Sequence, residues 1–250
     1  MKRLLWLWVL LAVVVIVVVV VFVQGRGGET GKIRVATDAT WKPFEYVDTT
    51  TREIVGFDID LFDAIAERAN LDVEYVNVAW DPLLAGMAQG TYDAAISSIT
   101  IKPDRLEKMN FSHPYYVAGQ IIVTLNSSTN ITGPETLSGK SVGVQTGTTG
   151  DDEAQSINGT TVVGYDEIGM AFVALLAHQI DAVICDTPVA SGYVDKYDIL
   201  KTVGEVLTTE QYGIAVPKGK EELLDKINTT LDALLAEGII DQLTQKWLVD

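Results

Sequence analysis

Apolar and polar positions follow two different periods along this chain, and the two periods alternate. Short apolar runs typical of buried strands occupy 32–37, 73–78 and 93–97, whereas the apolar residues between 59 and 69 recur at helical spacing. Asp58 precedes that helical stretch and is a residue type that caps helices. Strands that alternate with helices predict an α/β fold built on a mainly parallel sheet.

The second half of the chain repeats this order. Strand-like runs and a helical pattern between 119 and 176 lead to the run IDAVICD at 180–186, which matches YDAAISS at 92–98 in position and character. Two similar α/β units are therefore predicted. Ligands bind outside the carboxyl ends of strands in open α/β sheets, so two facing units would bring those ends together across a cleft. The chain then closes with a predicted strand and two predicted helices, at 211–219, 221–237 and 239–247.

The amino-terminal segment differs from everything that follows. All residues from 4 to 23 are apolar, and such a run spans about 30 Å as a helix, enough to cross the hydrocarbon core of a bilayer. The pattern favours an uncleaved transmembrane anchor; a cleaved signal peptide is the alternative, although the apolar run is long and lacks a small-residue cleavage site. Lys2 and Arg3 predict that residues from 27 onward lie outside the cytoplasm, tethered to the membrane, or in the periplasm if the leader is cleaved. The Gly-rich stretch 24–31 predicts a flexible tether.

Net charge and the scarcity of cysteine and histidine exclude several classes of function. The formal net charge is −16 at pH 7, which argues against nucleic acid and anionic lipid surfaces, since both require clustered lysine and arginine. Cys185 is the single cysteine, so no intramolecular disulfide can form, and it is predicted to be a small buried hydrophobe. With His113 and His178 as the only histidines, a Cys/His metal site has too few ligands. No cofactor is predicted.

Hydroxyl residues stand where the predicted strand at 93–97 ends. Ser97, Ser98 and Thr100 are followed by a helix opened by a proline, with Arg105 in its predicted first turn. A guanidinium at this point offers a planar fork for a carboxylate. A solvated surface arginine is the alternative, but the adjoining hydroxyl run favours an anion site.

A second candidate anion site lies in VGVQTGTTGDD at 142–152. A strand runs into a turn containing Thr148 and Thr149 and then into a predicted helix, whose free N–H groups and dipole favour an anion. The spacing fits neither the phosphate-binding loop nor the dinucleotide fingerprint, so a small carboxylate is favoured over a nucleotide. An ordinary strand-to-helix turn is the alternative.

Groups that could bind the cationic and apolar parts of a ligand are predicted at the end of the run 180–186 and near the first two strands. Asp186 ends the run IDAVICD and would suit an ammonium group; capping a helix before Pro188 is a compatible role. Asp38 ends the first strand, Trp41 follows it, and Trp80 opens the helix after the second strand. Aromatic faces can enclose the apolar or cationic part of a small ligand, although a single tryptophan is more often part of the core.

Taken together, these stretches resemble a known family. GFDIDLFDAIAERANL at 56–71 closely resembles the signature of the extracellular solute-binding proteins of family 3, and VATDATWKPFEY, AISSITIKPDR, VGVQTGTT, IDAVICD and the closing helix pair extend the resemblance over about 32–247. The resemblance implies a two-lobed periplasmic-binding-protein-like fold of type II, in which two hinge strands join lobes that close over a ligand. Mapped onto this sequence, lobe 1 covers 31–118 plus 213–250, and lobe 2 covers 119–212.

The resemblance also implies a role for each candidate residue. In that family, the arginine matching Arg105 and the backbone N–H groups matching Thr100 and Thr149 hold the ligand's α-carboxylate. The aspartate matching Asp186 binds the α-ammonium, together with the Thr100 hydroxyl and the Ser98 carbonyl. Four further matching positions contact the ligand side chain: Asp38, Trp41, Trp80 and Ser97.

The function implied is capture of a polar amino acid for the membrane permease of an ABC importer. Asp38 at the side-chain end would attract a cation or accept from an amide but repel a carboxylate, so the expected ligands are arginine, lysine, histidine or glutamine. The serine pair at 97–98 resembles the lysine, arginine and ornithine binders of the family more than the glutamine binders, which favours the basic members. Two alternatives share the fold: a cyclohexadienyl dehydratase acting on arogenate or prephenate, for which no dedicated general acid is evident, and the sensing module of a membrane receptor. No enzymatic activity is expected.

Overall fold

The order of helices and strands follows the predicted alternation. The structure, a computed structural model, describes residues 31–249; the predicted membrane segment at 4–23 and the tether up to residue 30 lie outside the described residues. Within 31–249, no helix is both long and apolar enough to cross a membrane. In chain order the elements are β1 (Ile33–Thr37), β2 (Thr40–Trp41), β3 (Glu45–Val47), β4 (Ile54–Val55), α1 (Phe57–Ala69), β5 (Val73–Asn77), α2 (Trp80–Gln89), β6 (Ala94–Ala95), α3 (Pro103–Leu106), β7 (Met109–Phe111), β8 (Tyr116–Ala118), β9 (Gln120–Leu125), a 3₁₀ turn (Pro134–Thr136), β10 (Ser141–Gln145), α4 (Thr149–Ser156), β11 (Thr161–Tyr165), α5 (Ile168–Leu176), β12 (Ala182–Asp186), α6 (Thr187–Lys196), β13 (Leu200–Val203), β14 (Glu210–Tyr212), β15 (Ala215–Pro217), α7 (Glu221–Ala236) and α8 (Ile239–Trp247).

Two five-stranded sheets in the described chain share one internal order. The first runs β5-β1-β6-β15-β7 and the second β11-β10-β12-β9-β13. In each sheet the first two pairings are parallel and the last two are antiparallel. The prediction of a mainly parallel sheet therefore holds for only half of the strand pairings. The direction of the other strands was missed because an apolar run does not show which way its strand runs. Strands β6 and β12 hold equivalent places, as the matching runs YDAAISS and IDAVICD predict.

Two short strands carry the chain between the sheets. Strand β8 precedes β9 of the second sheet, strand β14 leads back towards β15 of the first, and the two pair antiparallel with Tyr116 opposite Tyr212. The first sheet takes its strands from 33–111 and 215–217, and the second from 120–203. The fold is thus a two-lobed α/β architecture, and β8 and β14 are called the crossing strands below.

Buried apolar side chains fix the closing helices on the first sheet's side. Leu61, Phe62 and Ile65 on α1 are fully buried and belong to one cluster with Ile227 and Leu231 on α7. Fully burying such a side chain contributes about 1.5 to 3 kcal/mol, so the last helices are an integral part of the fold. In the second sheet, Cys185 is buried within the same large cluster, as predicted.

The predicted cap at Asp58 is wrong. Helix α1 begins at Phe57, Gly56 occupies the capping position, and Asp58 lies fully buried in the first turn. Its carboxylate accepts hydrogen bonds from the backbone N–H of Ser98 at 2.7 Å and from the Tyr115 hydroxyl at 2.9 Å. The residue therefore serves the loop after β6 rather than its own helix.

Two predicted strands are shorter than their apolar runs. The run at 93–97 forms only β6, and Ser98 beyond it adopts a left-handed backbone with φ of 48°. The run QYGIAVPKG contains parts of two strands, β14 and β15, separated by Gly213 and Ile214. Hydrophobicity shows burial, but it does not show where a ladder of hydrogen bonds ends.

Candidate functional site: a cavity between the two sheets

A cavity of about 320 Å³ lies at the edges where the two sheets meet. All ten residues selected from the sequence line it, together with Glu45 and Gln145: Asp38, Trp41, Trp80, Ser97, Ser98, Thr100, Arg105, Thr148, Thr149 and Asp186.

Strand ends and helix starts position most of these side chains. Asp38 follows β1, Ser97 lies just beyond β6, Gln145 ends β10 and Asp186 ends β12. Trp80 is the first residue of α2. The carboxyl ends of strands from both sheets therefore supply the polar lining, as expected for an open α/β sheet.

Arg105 presents a buried guanidinium to the cavity. Arg105 is only 3% exposed. Its guanidinium donates to the carbonyl oxygens of Thr100 at 3.0 Å and Gly147 at 3.5 Å. No carboxylate in residues 31–249 forms an ion pair with it, and its Nε has no acceptor there. Burial lowers the pKa of Arg105. A buried cation without a counter-charge favours an anion in the cavity.

Two backbone N–H groups add donors to the same wall. Thr100 and Tyr212 form an isolated antiparallel β-bridge, whose hydrogen bonds are donated by the N–H groups of the adjacent residues. The Thr100 N–H therefore has no acceptor in the described chain. Thr149 is the first residue of α4, where N–H groups have no intrahelical acceptor. Thr148 caps this helix by accepting from the Asp151 N–H at 3.3 Å. Helix dipole, free N–H groups and guanidinium together form an anion site.

Asp186 supplies the opposite charge. It is 5% exposed, and its Oδ1 accepts from the Tyr212 hydroxyl at 2.5 Å. Burial first, and then the nearby charge of Glu210, raise the pKa of Asp186 to about 7. No basic side chain among the described residues pairs with it. It holds the capping position of α6, but its side chain makes no capping hydrogen bond, so the predicted capping role is wrong.

Glu210 on β14 connects the hydroxyls of three threonines behind the cavity. Its Oε2 accepts from Thr100 at 2.6 Å and from Thr149 at 2.8 Å, and its Oε1 accepts from Thr208 at 2.8 Å. The Thr100 hydroxyl thus donates its hydrogen bond to Glu210. Its oxygen keeps lone pairs that can accept from a ligand.

Asp38 lies at the other end of the cavity and bridges the two sheets. Its Oδ2 accepts from the Gln145 amide at 2.9 Å, and its Oδ1 accepts from the Thr40 hydroxyl at 3.0 Å. Burial raises the pKa of Asp38, whereas these two hydrogen bonds lower it; Glu167 raises it further.

The two tryptophans have different surroundings. Trp80 donates from Nε1 to the Gly147 carbonyl at 3.0 Å, and the Arg105 guanidinium lies 5.1 Å from its ring centroid. Its cation–π partner within the described chain is therefore Arg105. Trp41 lines the cavity without such a partner among residues 31–249.

The serine pair contacts a carboxyl group that the sequence did not point to. The Ser97 hydroxyl donates to Glu45 Oε1 at 2.9 Å and accepts from the Asp38 N–H at 2.9 Å. The Ser98 hydroxyl donates to Glu45 Oε2 at 3.4 Å. Glu45 is 1% exposed and lines the cavity directly.

Sequence reasoning missed Glu45, Gln145 and Glu210. Gln145 directly follows the predicted strand 141–144, so the strand-end rule could have found it. Glu45 belongs to the small sheet β2-β3-β4, whose strands have two or three residues and no periodic pattern. Glu210 directly precedes an apolar run, and in the sequence it resembles an ordinary surface glutamate. In residues 31–249, no group of three or more histidine, cysteine or acidic side chains could hold a metal ion.

Known proteins with the same sequence pattern and fold are solute-binding proteins. Residues 33–250 match the family described as bacterial extracellular solute-binding proteins, family 3. The ABC transporter arginine-binding protein 1 of Escherichia coli (strain K12) is 32% identical over 222 residues, which cover 86% of this chain and 90% of that protein. Among solved structures, a variant of ArgBP from T. maritima has a TM-score of 0.84 at 39% identity, covering 88% of this chain and 96% of that chain. ArtJ from Geobacillus stearothermophilus, an arginine-, lysine-, histidine-binding protein, has a TM-score of 0.83 at 35% identity, with coverage of 88% and 96%.

These comparisons agree with the two-lobed architecture described above. The family and its solved neighbours are solute-binding proteins, not enzymes, which leaves the dehydratase alternative without support. The family match covers most of the chain, including every residue that lines the cavity. The chain belongs to the bacterial extracellular solute-binding proteins of family 3.

Proposed function

We propose that this protein captures a polar L-amino acid outside the cytoplasm and delivers it to the membrane permease of an ABC importer. The observation that carries the proposal is that one cavity holds two buried groups of opposite charge, Arg105 and Asp186, neither of which has an ion-pair partner within residues 31–249. An unpaired buried charge is strongly destabilising. A zwitterion supplies both missing counter-charges at once, and the amino-acid binders named above support this class of ligand.

The α-carboxylate binds to Arg105 and to the N–H groups of Thr100 and Thr149. The α-ammonium binds to Asp186, to the Thr100 hydroxyl oxygen and to the Ser98 carbonyl. The side chain then extends towards the opposite end of the cavity, which is lined by Asp38, Trp41, Trp80 and Ser97.

The side chain of the ligand is cationic or an amide, with arginine favoured. Asp38 attracts a guanidinium or ammonium and accepts from an amide, but it repels a carboxylate. Trp41 offers a ring that has no cation on it within the described chain, and a cation there gains about 0.5 to 2 kcal/mol. The arginine-binding relatives support the basic members of the set.

Closure of two lobes over the ligand follows from the architecture. We take lobe 1 as 31–118 plus 213–250 and lobe 2 as 119–212, with the crossing strands as the hinge. Contacts between the lobes then include Asp38 with Gln145, Trp80 and Arg105 with Gly147, and Lys102 with Asp152 at 2.6 Å. These contacts belong to the closed, ligand-holding state.

Titration calorimetry of ligand-free protein against the common amino acids tests the proposed function. We expect saturable, equimolar binding of arginine, lysine, histidine or glutamine. Binding of glutamate alone would show that Asp38 does not face the side chain. Failure of every amino acid to bind would overturn the proposal.

The segment 4–23 anchors this binding domain to the outer face of the cytoplasmic membrane in our proposal. The length of its apolar run and the absence of a small-residue cleavage site support retention. The intact mass of membrane-extracted protein tests this, and a mature amino terminus downstream of residue 24 would contradict it.

A further inference from the structure

Two carboxyl groups lie buried together at the side-chain end of the cavity. Glu45 on β3 is 1% exposed and lines the cavity, and Asp58 on α1 is 0% exposed directly behind it. Ser98 joins them, since its N–H donates to Asp58 Oδ2 at 2.7 Å and its hydroxyl donates to Glu45 Oε2 at 3.4 Å.

The partners of this pair account for only part of its hydrogen-bonding capacity. Asp58 Oδ2 also accepts from the Tyr115 hydroxyl at 2.9 Å, but the buried Asp58 Oδ1 has no donor in the described chain. A proton on Glu45 would provide that donor. No lysine, arginine or histidine in residues 31–249 pairs with either carboxyl group.

Burial and the neighbouring carboxylates disfavour ionisation of this pair, whereas the hydrogen bonds from Ser97, Ser98 and Tyr115 favour it. Asp58 faces Glu45 from α1, Asp38 faces it from the end of β1, and Tyr115 approaches from the segment before β8 as a neutral phenol. Burial first, and then the charge of Asp58, raise the pKa of Glu45 well above its usual range, and burial raises the pKa of Asp58 to about 6. Two adjacent buried carboxyl groups without a cation do not both ionise readily, so they share a proton.

We propose that the cavity exchanges this shared proton for the side-chain cation of its ligand. The inference rests on the proposed function and extends it to the basis of side-chain selection. In the ligand-free cavity the pair carries one proton and one negative charge. When a guanidinium or ammonium arrives, the proton leaves to solvent and the pair carries two negative charges, one of them balanced by the cation. A neutral amide side chain brings no charge, and the proton stays.

The proposal predicts a measurable difference between two ligands that share their backbone groups. Arginine and glutamine present the same α-carboxylate and α-ammonium groups to Arg105 and Asp186. Any protons released at these two residues are therefore equal for the two ligands and cancel in the difference. Arginine binding releases about one more proton than glutamine binding at neutral pH, and the arginine-to-glutamine affinity ratio rises by up to about tenfold per pH unit in the window where the full proton is released.

Calorimetry of the full-length protein in buffers of different ionisation enthalpy, phosphate and Tris, counts these protons. Each ligand is titrated at several pH values between 5.5 and 8, and the proton number follows from the dependence of the observed enthalpy on the buffer. The variant Glu45→Gln cannot exchange a proton at this position, so the excess proton should disappear and the arginine-to-glutamine affinity ratio should fall. The matched control is Glu53→Gln, an exposed carboxyl group in the turn between β3 and β4, which should preserve the excess proton.

The possible outcomes test the proton exchange and the proposed amino-acid capture separately. An equal proton count for arginine and glutamine in the unmodified protein overturns the inference and leaves amino-acid capture intact, and it does so even if Glu45→Gln fails to fold. An excess proton that survives in Glu45→Gln but disappears in Asp38→Asn assigns the exchange to Asp38 and also overturns it. Binding of glutamine without any basic amino acid overturns it as well. Failure of every amino acid to bind overturns the proposed function with it.

Discussion

Arg105 and Asp186 are each buried with their charge uncompensated by any ion pair in the described chain. We therefore expect Arg105→Ala and Asp186→Ala to abolish useful ligand binding. Removing one partner of a desolvated charge pair costs about 2 to 5 kcal/mol, which corresponds to a loss of roughly 30-fold to several thousand-fold in affinity. Calorimetric titration measures the loss, and circular dichroism checks that the fold persists. Unchanged affinity in either variant would remove that residue from the site.

Asp38 is expected to select the side chain rather than the backbone groups of the ligand. Its contacts with Gln145 and Thr40 survive replacement by an amide in part, because asparagine still accepts at Oδ1. Asp38→Asn should weaken binding of arginine by at least about tenfold, the equivalent of 1.4 kcal/mol, and should change binding of glutamine much less. Parallel titrations of both ligands measure the ratio. Equal losses for the two would indicate that Asp38 holds the lobes together without contacting the side chain.

At the level of elements, we expect the crossing strand β14 to stabilise the proposed closed state through Glu210. Its carboxylate joins Thr100, which follows β6 of the first sheet, to Thr149, which begins α4 beside the second sheet. Glu210→Ala removes the common acceptor of the buried Thr100 hydroxyl and the half-buried Thr149 hydroxyl, and should destabilise closure. The expected result is faster ligand dissociation, by roughly 5- to 150-fold, since a lost buried hydrogen bond costs about 1 to 3 kcal/mol, with little change in the association rate.

Two controls separate this role from a general loss of stability. Glu210→Gln keeps an acceptor for one threonine and should recover part of the residence time. Lys102→Ala removes the ion pair with Asp152, a largely exposed aspartate, and such pairs contribute only about 0 to 1 kcal/mol. Stopped-flow measurements give both rates. A slower association rate with unchanged dissociation would contradict a role in holding the closed state.

The whole molecule should lose stability as the pH rises from 5.5 to 8 when no ligand is bound. Asp58 and Asp186 have folded-state pKa values of about 6 and about 7, above the value near 3.9 of an unfolded aspartate. The folded protein therefore binds more protons than the unfolded chain in this window, and the free energy of unfolding falls as the pH increases. We expect a decrease on the order of 2 to 4 kcal/mol, since each pKa unit corresponds to about 1.4 kcal/mol.

Urea denaturation at fixed temperature measures this dependence. Asp186→Asn should flatten part of the pH profile, because a neutral amide needs no proton at that position. Saturating arginine should reduce the slope by stabilising the ionised forms. An unfolding free energy that increases between pH 5.5 and 8 in the ligand-free protein would contradict the proton linkage.

The sequence by itself determined which segments are buried and which strand ends carry polar groups. Periodicity and residue type were sufficient for this purpose, because both depend on local backbone geometry and on the preference of apolar side chains for the interior. The ten predicted residues line one cavity for that reason, and the equivalent runs around β6 and β12 occupy equivalent places in two sheets of the same order.

Only the tertiary structure decided which groups meet across the chain. The sequence predicts Asp58 as a helix cap, yet the residue is buried against the loop after β6, where the Ser98 N–H, 40 residues away in sequence, donates to its Oδ2. Glu45 and Glu210 gave no sequence signal, since their significance comes from the hydroxyls of Ser97 and Thr100 brought to them by distant segments. Local preferences are encoded within a few residues, whereas the ionisation and pairing of a buried carboxyl group depend on every element that surrounds it. The proton that we assign to the cavity therefore could not be inferred before the sheets were assembled.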